Sequence, residues 1–358
     1  MVELEVARRA GGRLRRALLG DPDLHPVRRA LAPTFLLVVT VLPLLLPVRT
    51  GPVDPTTRAW PDSRFVELGG VDTHVRVWGP PVDGPGAVPG APTVVALHHF
   101  YGSAGTFAPL GEALAAQGVR TVALDRPGFG LTERPTPDGR WEGPDAPYTR
   151  AFAARQAAAL RDAWGLDGAV LLGVSMGGTI ALESALADPD GWAGVVAVSA
   201  PTAYDAGAPP PLRPALRTRW ARGIGAALVR WRGDDLDPVR VTRRWGDPTR
   251  LTDEVLEAYR RAVGVEGWDG GLWDAIVSDA PPALDGPTLA AIGVPVVTVG
   301  GSLDSLVPAS VSTATAVATD GAAVTAEGCG HTVHEECPAE VAGAVLDLLR
   351  TLGRLPVS

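Results

Sequence analysis

The sequence has no lysine and only two cysteines among its 358 residues. All 32 basic residues are therefore arginine, and 40 acidic residues outnumber them, for a formal net charge of −8. This acidic excess argues against a nucleic acid partner. Two cysteines are too few for a disulfide framework, and Cys329 and Cys337 lack the spacing of a zinc site. The sequence therefore predicts no metal site.

The first 63 residues differ in composition from the rest of the chain. Seven arginines, from Arg8 to Arg29, precede the uncharged run 30–48, which is long enough to cross a bilayer. We expect residues 1–50 to be a cytoplasmic arginine-rich segment with one transmembrane helix, followed by a linker at 51–63. The arginine bias predicts a cytoplasmic N-terminus and an extracytoplasmic domain. A cleaved signal peptide and a buried helix are the competing interpretations of the run.

From residue 64 the pattern becomes globular. Alternating apolar and polar residues over 65–68 and 73–78 predict an antiparallel hairpin in which His74 faces solvent. Continuous apolar runs predict strands buried on both faces, as in a parallel sheet. These runs are 93–97, 120–124, 169–172, 193–199 and 294–299, and helices are predicted at 106–117, 149–164, 309–318 and 338–352. The fold class is therefore α/β, with a mostly parallel, doubly wound sheet.

One strand-to-helix corner carries a nucleophile motif. Gly173-Val174-Ser175-Met176-Gly177 has the form G-x-S-x-G between an apolar strand and a small-residue helix. Such a corner turns so sharply that side chains two residues to either side of the serine would clash, hence the two glycines. The Met176 amide, free at the helix start, is the predicted first donor to an oxyanion.

Three further motifs strengthen a family resemblance. They are H-H-F-Y-G-S at 98–103, D-R-P-G-F-G-L-T-E-R-P at 125–135 and G-C-G-H at 328–331. Together with the corner at Ser175, they resemble the α/β-hydrolase superfamily over about residues 64–352. The departure is His99, which stands where the family usually has glycine.

The resemblance implies the remaining catalytic groups. It places the acid at Asp304, in a loop after a strand, and the general base at His331, which completes the order Ser, Asp, His. It also places the second oxyanion donor at the Phe100 amide. His98 is expected to pack within its loop, and His334 to pack or cap beside His331.

Residues 200–287 interrupt the alternation of strands and helices and match the position of the family's helical cap. The core then comprises 64–199 and 288–354. Five tryptophans lie in the cap, where they either wall an apolar acyl pocket or pack the cap on the core. The candidate pocket residues are Trp220, Phe129 and His99.

The sequence thus predicts a membrane-anchored serine hydrolase that cleaves a small apolar carboxylic ester through an acyl-enzyme, without cofactor or metal. A C–C bond hydrolase, an amidase, a cofactor-free haloperoxidase and a non-catalytic binding protein on the same fold are the alternatives. A disulfide between Cys329 and Cys337 stays open, because their separation alone does not set their distance.

Overall fold

The computed structural model describes residue Leu37 and the ranges 53–84, 87–136, 146–202, 212–232, 241–278 and 283–355. In these ranges no helix combines the length and the apolar character needed to cross a membrane. The predicted span at 30–48 lies outside them, apart from Leu37.

In the described ranges, eight strands form one sheet in the order β1-β2-β4-β3-β5-β6-β7-β8. They are β1 Ser63–Leu68, β2 Val71–Trp78, β3 Thr93–Leu97, β4 Arg120–Leu124, β5 Val170–Val174, β6 Gly194–Val198, β7 Val296–Gly301 and β8 Ala322–Ala326. β1 pairs with β2, and β2 with β4, in antiparallel register, whereas all other pairs are parallel. The predicted hairpin and mostly parallel sheet are confirmed.

Helices cover both faces of this sheet, and further helices lie between β6 and β7. They are α1 Ala108–Ala115, α2 Arg150–Trp164, α3 Met176–Ala187, α4 Arg213–Leu216, α5 Arg219–Arg232, α6 Asp253–Ala262, α7 Trp268–Ile276, α8 Gly286–Ala290, α9 Ala309–Ala318, α10 Val333–Glu336 and α11 Pro338–Thr351. One apolar layer joins the sheet to α1 and α11, and a second joins it to α2 and α3. The strands are buried from both sides, as their unbroken apolar sequences require.

The first of these helices begins later than the sequence predicted. Residues Ala104–Phe107 form a 3-10 turn, and α1 starts at Ala108 instead of Thr106. Pro109 explains the start, since proline has no amide hydrogen and is tolerated in the first helical turn.

The prediction that His74 faces solvent is wrong. Its side chain is fully buried, because Trp60, Phe65 and Asp125 cover it. The His74 ring also stacks on Trp60, with ring centroids 5.9 Å apart. The polar residues that alternate with apolar ones along β2 therefore have buried partners and do not mark a solvent-exposed face of the sheet.

The chain between β6 and β7 is helical in its described parts, which hold α4 to α8. A separate apolar cluster forms there around Tyr259 and Trp245, with Val241, Val255 and Leu256. Helix α6, which carries Tyr259, also contacts the 3-10 turn at Ala104–Phe107 of the core. This insertion therefore packs against the loop that follows β3.

Candidate active site

The corner between β5 and α3 holds Ser175 in a strained conformation. Its φ of 53° and ψ of −122° are rare for a residue with a side chain. A Cβ atom at Gly173 would overlap the Gly177 carbonyl oxygen, and one at Gly177 would overlap the Leu97 carbonyl oxygen. Both positions thus require glycine, and the turn presents Ser175 at the carboxyl end of the sheet.

Ser175, His331 and Asp304 lie in one hydrogen-bonded chain. His331 Nε2 is 2.9 Å from Ser175 Oγ, and His331 Nδ1 is 2.8 Å from Asp304 Oδ2. A carboxylate only accepts, so the ring hydrogen lies on Nδ1 and Nε2 presents a lone pair to the serine hydroxyl. This is the protonation pattern of a general base.

Asp304 is itself held by the backbone of its own loop. Its Oδ1 accepts hydrogen bonds from the amides of Leu306 and Val307, at 2.8 and 2.9 Å. Burial raises the pKa of Asp304, but the hydrogen bonds from His331 and the two amides outweigh it and leave the pKa below its ordinary value. The carboxylate therefore stays ionised and keeps the His331 ring in place.

Two backbone amides are available for a developing oxyanion. Among the described residues, neither the Met176 nor the Phe100 amide has a hydrogen-bond acceptor. The loop after β3 that carries Phe100, called the Phe100 loop below, is fixed by two hydrogen bonds of the buried His98 ring. His98 Nδ1 donates to the His99 carbonyl oxygen at 2.7 Å, and His98 Nε2 accepts from the Arg126 amide at 3.1 Å. Packing within the loop is the role predicted for His98.

No motif in the sequence indicates the contacts that hold the His331 loop against the insertion. The His331 amide donates to the Arg244 carbonyl oxygen at 2.5 Å. The Glu336 carboxylate accepts from the amides of Gly330, Gly246 and Asp247, at 2.7, 2.9 and 2.7 Å. Glu336 therefore joins the loop of the general base to Gly246, which lies 90 positions earlier in the chain.

A disulfide closes the same loop. Cys329 and Cys337 are bonded, with Cα atoms 6.3 Å apart, and no free cysteine remains in the chain. The pair brackets His331, which lies two residues after the first cysteine. The bond therefore limits the freedom of the segment that carries the general base.

The three candidate pocket residues have different positions. Phe129 is buried and lines a cavity of about 40 Å³, which does not include Ser175. Trp220 is 81% exposed as a residue, so the prediction that it walls a pocket is wrong for this structure. His99 is 1% exposed and turns its ring to Tyr259 and Glu335, so it too lines no open pocket.

A second Ser–His–Asp chain lies elsewhere in the fold. Ser63 Oγ is 2.7 Å from His74 Nε2, and His74 Nδ1 is 2.7 Å from Asp125 Oδ2. Here the Ser63 oxygen already accepts from the Trp60 amide at 2.9 Å, and the serine lies in β1 instead of at a strained corner. The strained corner and free amides distinguish the chain at Ser175.

Comparisons with known proteins agree with this fold. The sequence model of a family described as having the alpha/beta hydrolase fold matches residues 92–338. No curated protein matches the chain by sequence.

Solved structures share the architecture at low identity. The enol-lactonase from Burkholderia xenovorans LB400 is 22% identical, with 80% of this chain and 100% of its own covered and a TM-score of 0.59. A thermophilic esterase from Thermogutta terrifontis is 21% identical, with 81% and 99% covered and a TM-score of 0.61. A membrane phospholipase A, described as a bacterial virulence factor, is 19% identical, with 98% and 97% covered and a TM-score of 0.61.

Proposed function

The chain belongs to the α/β-hydrolase fold family, and from this premise we propose that it is a serine hydrolase acting through Ser175, His331 and Asp304. The observation that carries the proposal is the unbroken chain from Asp304 Oδ2 to Ser175 Oγ, with distances of 2.8 and 2.9 Å. Geometry of this kind identifies a nucleophile, its base and the group that orients the base.

The first half of the reaction is acylation. His331 Nε2 takes the hydroxyl proton as Ser175 Oγ attacks the carbonyl carbon, and Asp304 stabilises the imidazolium that forms. The Met176 and Phe100 amides hold the negative oxygen, where loss of one donor costs roughly 3–4 kcal/mol. His331 then gives its proton to the leaving alcohol, which departs as the acyl-enzyme forms.

Deacylation reverses these roles with water. His331 Nε2 takes a proton from water as its oxygen attacks the acyl carbon, and the same two amides hold the second oxyanion. Ser175 leaves as the alkoxide and recovers its proton from the imidazolium. The groups named here supply every proton transfer in the cycle, and the product is a carboxylic acid.

A carboxylic ester of a small apolar acid is the proposed substrate class. Esters need less help at the leaving group than amides or carbon–carbon bonds, and among the described residues His331 is the acid–base group hydrogen-bonded to Ser175 Oγ. The related structures include an esterase and an enol-lactonase, which cleave this type of bond in their own substrates. A bromoperoxidase on the same fold shows that the fold alone does not choose the reaction.

We also propose that the enzyme is anchored by a helix at residues 30–48, with its N-terminus in the cytoplasm and its catalytic domain outside. The arginine bias before this run supports the orientation. The Cys329–Cys337 disulfide supports it independently, because such bonds persist in oxidising compartments. Reporter fusions after Ser358 test it, since activity of a cytoplasm-only reporter contradicts the orientation. Recovery of intact enzyme in the soluble fraction without detergent contradicts the anchor.

Covalent labelling tests the catalytic proposal. A fluorophosphonate probe should label the wild-type protein at Ser175, and Ser175→Ala should lose both labelling and ester turnover while keeping its melting temperature. Ser63→Ala is the matched control, since it removes the serine of the second Ser–His–Asp chain, and it should keep labelling.

Esters of graded acyl length, tested beside amides, then define the bond and chain that the enzyme prefers. Labelling that persists in Ser175→Ala contradicts the assignment. A labelled wild type that cleaves no ester indicates one of the other reactions on this fold. A wild type that neither reacts with the probe nor cleaves any substrate indicates a binding protein.

A further inference from the structure

A buried cluster of polar side chains lies beside the catalytic loop and has no role in the proposed reaction. It consists of His99 from the loop after β3, His334 and Glu335 from α10, and Tyr259 from α6, and we name it the His–His–Glu cluster. The four side chains are almost completely buried, with residue exposures of 1%, 0%, 4% and 1% in that order. Three segments distant in sequence therefore meet at this point.

Hydrogen atoms are too few for the acceptors in this cluster. His99 Nδ1 lies 2.7 Å from the Phe100 carbonyl oxygen, so it carries the ring hydrogen and leaves Nε2 with a bare lone pair. That nitrogen is 3.1 Å from Tyr259 Oη and 3.4 Å from Glu335 Oε1. Tyr259 Oη is in turn 2.7 Å from Glu335 Oε1 and has one hydrogen to give, while the Arg244 side chain donates a hydrogen bond to Tyr259 Oη itself. Its single hydrogen cannot serve both His99 and Glu335.

The remaining polar atoms have no partner in the described structure. Both ring nitrogens of His334 and the Oε2 atom of Glu335 are buried without a hydrogen bond. Buried polar groups in native proteins are nearly always satisfied, so several at one point are consistent with a bound water or ion. A neutral His334 has one ring hydrogen to donate, but its other nitrogen, His99 Nε2 and Glu335 Oε2 present lone pairs, which a metal ion accepts.

The side chains are of the types that bind a transition-metal ion. Histidine binds through a neutral ring nitrogen and glutamate through its carboxylate, and the cluster offers two of the first and one of the second.

The distances between the candidate ligand atoms suit a transition-metal ion. One ligand atom from each of His99, His334 and Glu335 lies within 4.8 Å of the others. Glu335 Oε1 is 3.4 Å from His99 Nε2 and 3.7 Å from His334 Nε2. Ligands of a tetrahedral zinc ion, bound at about 2.0–2.2 Å, lie about 3.3–3.6 Å apart. The hydrogen bond from His99 Nδ1 to a carbonyl oxygen is also the usual support of a metal-bound histidine.

We propose that His99, His334 and Glu335 bind one divalent transition-metal ion of the zinc class, with Tyr259 Oη as the neighbour that closes the site. The cluster is buried, so the ion is structural and takes no part in the reaction. It ties the Phe100 loop, the turn after His331 and the insertion helix α6 together. The ion enters as the protein folds, because the folded structure encloses its ligands.

Metal analysis of the full chain, produced without a histidine tag in zinc-supplemented medium, tests this site. After dialysis against a weak chelator, mass spectrometry should find about one zinc ion per chain. His334→Gln and Glu335→Gln should lower that content at least tenfold. His98→Gln is the matched control, because His98 is equally buried in the same loop but bonds to the Arg126 amide, and it should keep the ion.

A second measurement needs only the wild-type protein, in case the variants do not fold. X-ray absorption at the zinc edge should show two nitrogen and one or two oxygen ligands at about 2.0–2.2 Å. Wild-type protein that holds less than a tenth of an ion per chain, both as purified and after refolding with zinc chloride, overturns the proposal. Zinc retained in full by folded His334→Gln overturns it too, as does an absorption spectrum without nitrogen ligands.

Discussion

Replacing Asp304 by asparagine tests how the catalytic chain sets the state of its base. In the wild type, Oδ1 accepts from the Leu306 and Val307 amides, and Oδ2 accepts from His331 Nδ1. In Asp304→Asn the side chain has one acceptor, which the two backbone donors take. Its NH₂ group must then face His331, and two donors cannot face each other, so His331 carries its hydrogen on Nε2.

The consequence is loss of the general base. With its hydrogen on Nε2, His331 donates to Ser175 Oγ across the 2.9 Å contact instead of accepting from it. The expected loss in turnover is about 10⁴-fold, as for the equivalent change in trypsin, and it corresponds to about 5.4 kcal/mol of transition-state stabilisation.

Initial rates with a p-nitrophenyl ester, and the rate of fluorophosphonate labelling, measure this loss. Asp285→Asn is the matched control, because Asp285 caps α8 by accepting from the Thr288 amide at 2.9 Å on the surface. Asparagine caps a helix as well as aspartate does, so this variant should keep wild-type rates. Both variants should melt near the wild-type temperature. A loss smaller than tenfold in Asp304→Asn refutes the assignment. The next acid to test is then Asp205, which follows β6 in the sequence and lies outside the described residues.

Three further changes test other parts of the structure. Replacing Cys329 and Cys337 by serine should lower the free energy of unfolding by about 2.5 kcal/mol, the chain-entropy estimate for an eight-residue loop. An unchanged melting temperature contradicts a stabilising role of the disulfide. Asp125→Asn should cost about 2 kcal/mol at neutral pH, because burial raises the pKa of Asp125 but His74 and other contacts lower it to about 2. The contribution of ionised Asp125 to the free energy of unfolding is present above pH 3.8, the pKa in the unfolded chain, and is lost as pH falls through about 2. An Asp125→Asn variant as stable as the wild type at pH 7 contradicts this contribution. Trp220→Ala should leave kcat/KM within about twofold, since the residue is 81% exposed, and a tenfold loss contradicts its exclusion from the site.

Strands and helices that depend on short sequence patterns have observed bounds close to the predicted ones. Strands 93–97 and 120–124 and helix 309–318 have the predicted bounds, since continuous apolar runs and helical spacing act over a few residues. At the start of α1, where the bounds differ, Pro109 explains the difference. β7 likewise starts at Val296, after Pro295, because proline cannot donate to the strand ladder.

Exposure is harder to predict from the sequence. His74 is buried although its strand pattern indicates a solvent-facing side chain, and Trp220 is exposed although its place in the insertion indicates a pocket wall. Burial depends on which elements cover a residue, and that information lies in distant parts of the chain. The Ser63–His74–Asp125 chain shows the same limit, since its members lie up to 62 positions apart and acquire partners only when β1, β2 and the loop after β4 meet.

The sequence by itself determined the α/β class, the strained corner at Ser175 and, through the family resemblance, the order Ser175, Asp304, His331. These follow from short segments, where steric limits on the backbone dictate the residue types. Only the tertiary structure decided that Glu336 joins the His331 loop to Gly246, that Cys329 and Cys337 meet, and that the His–His–Glu cluster forms. Each of these contacts needs two segments to be brought together by packing of the whole core, because side chains interact over a few ångströms regardless of their separation along the chain.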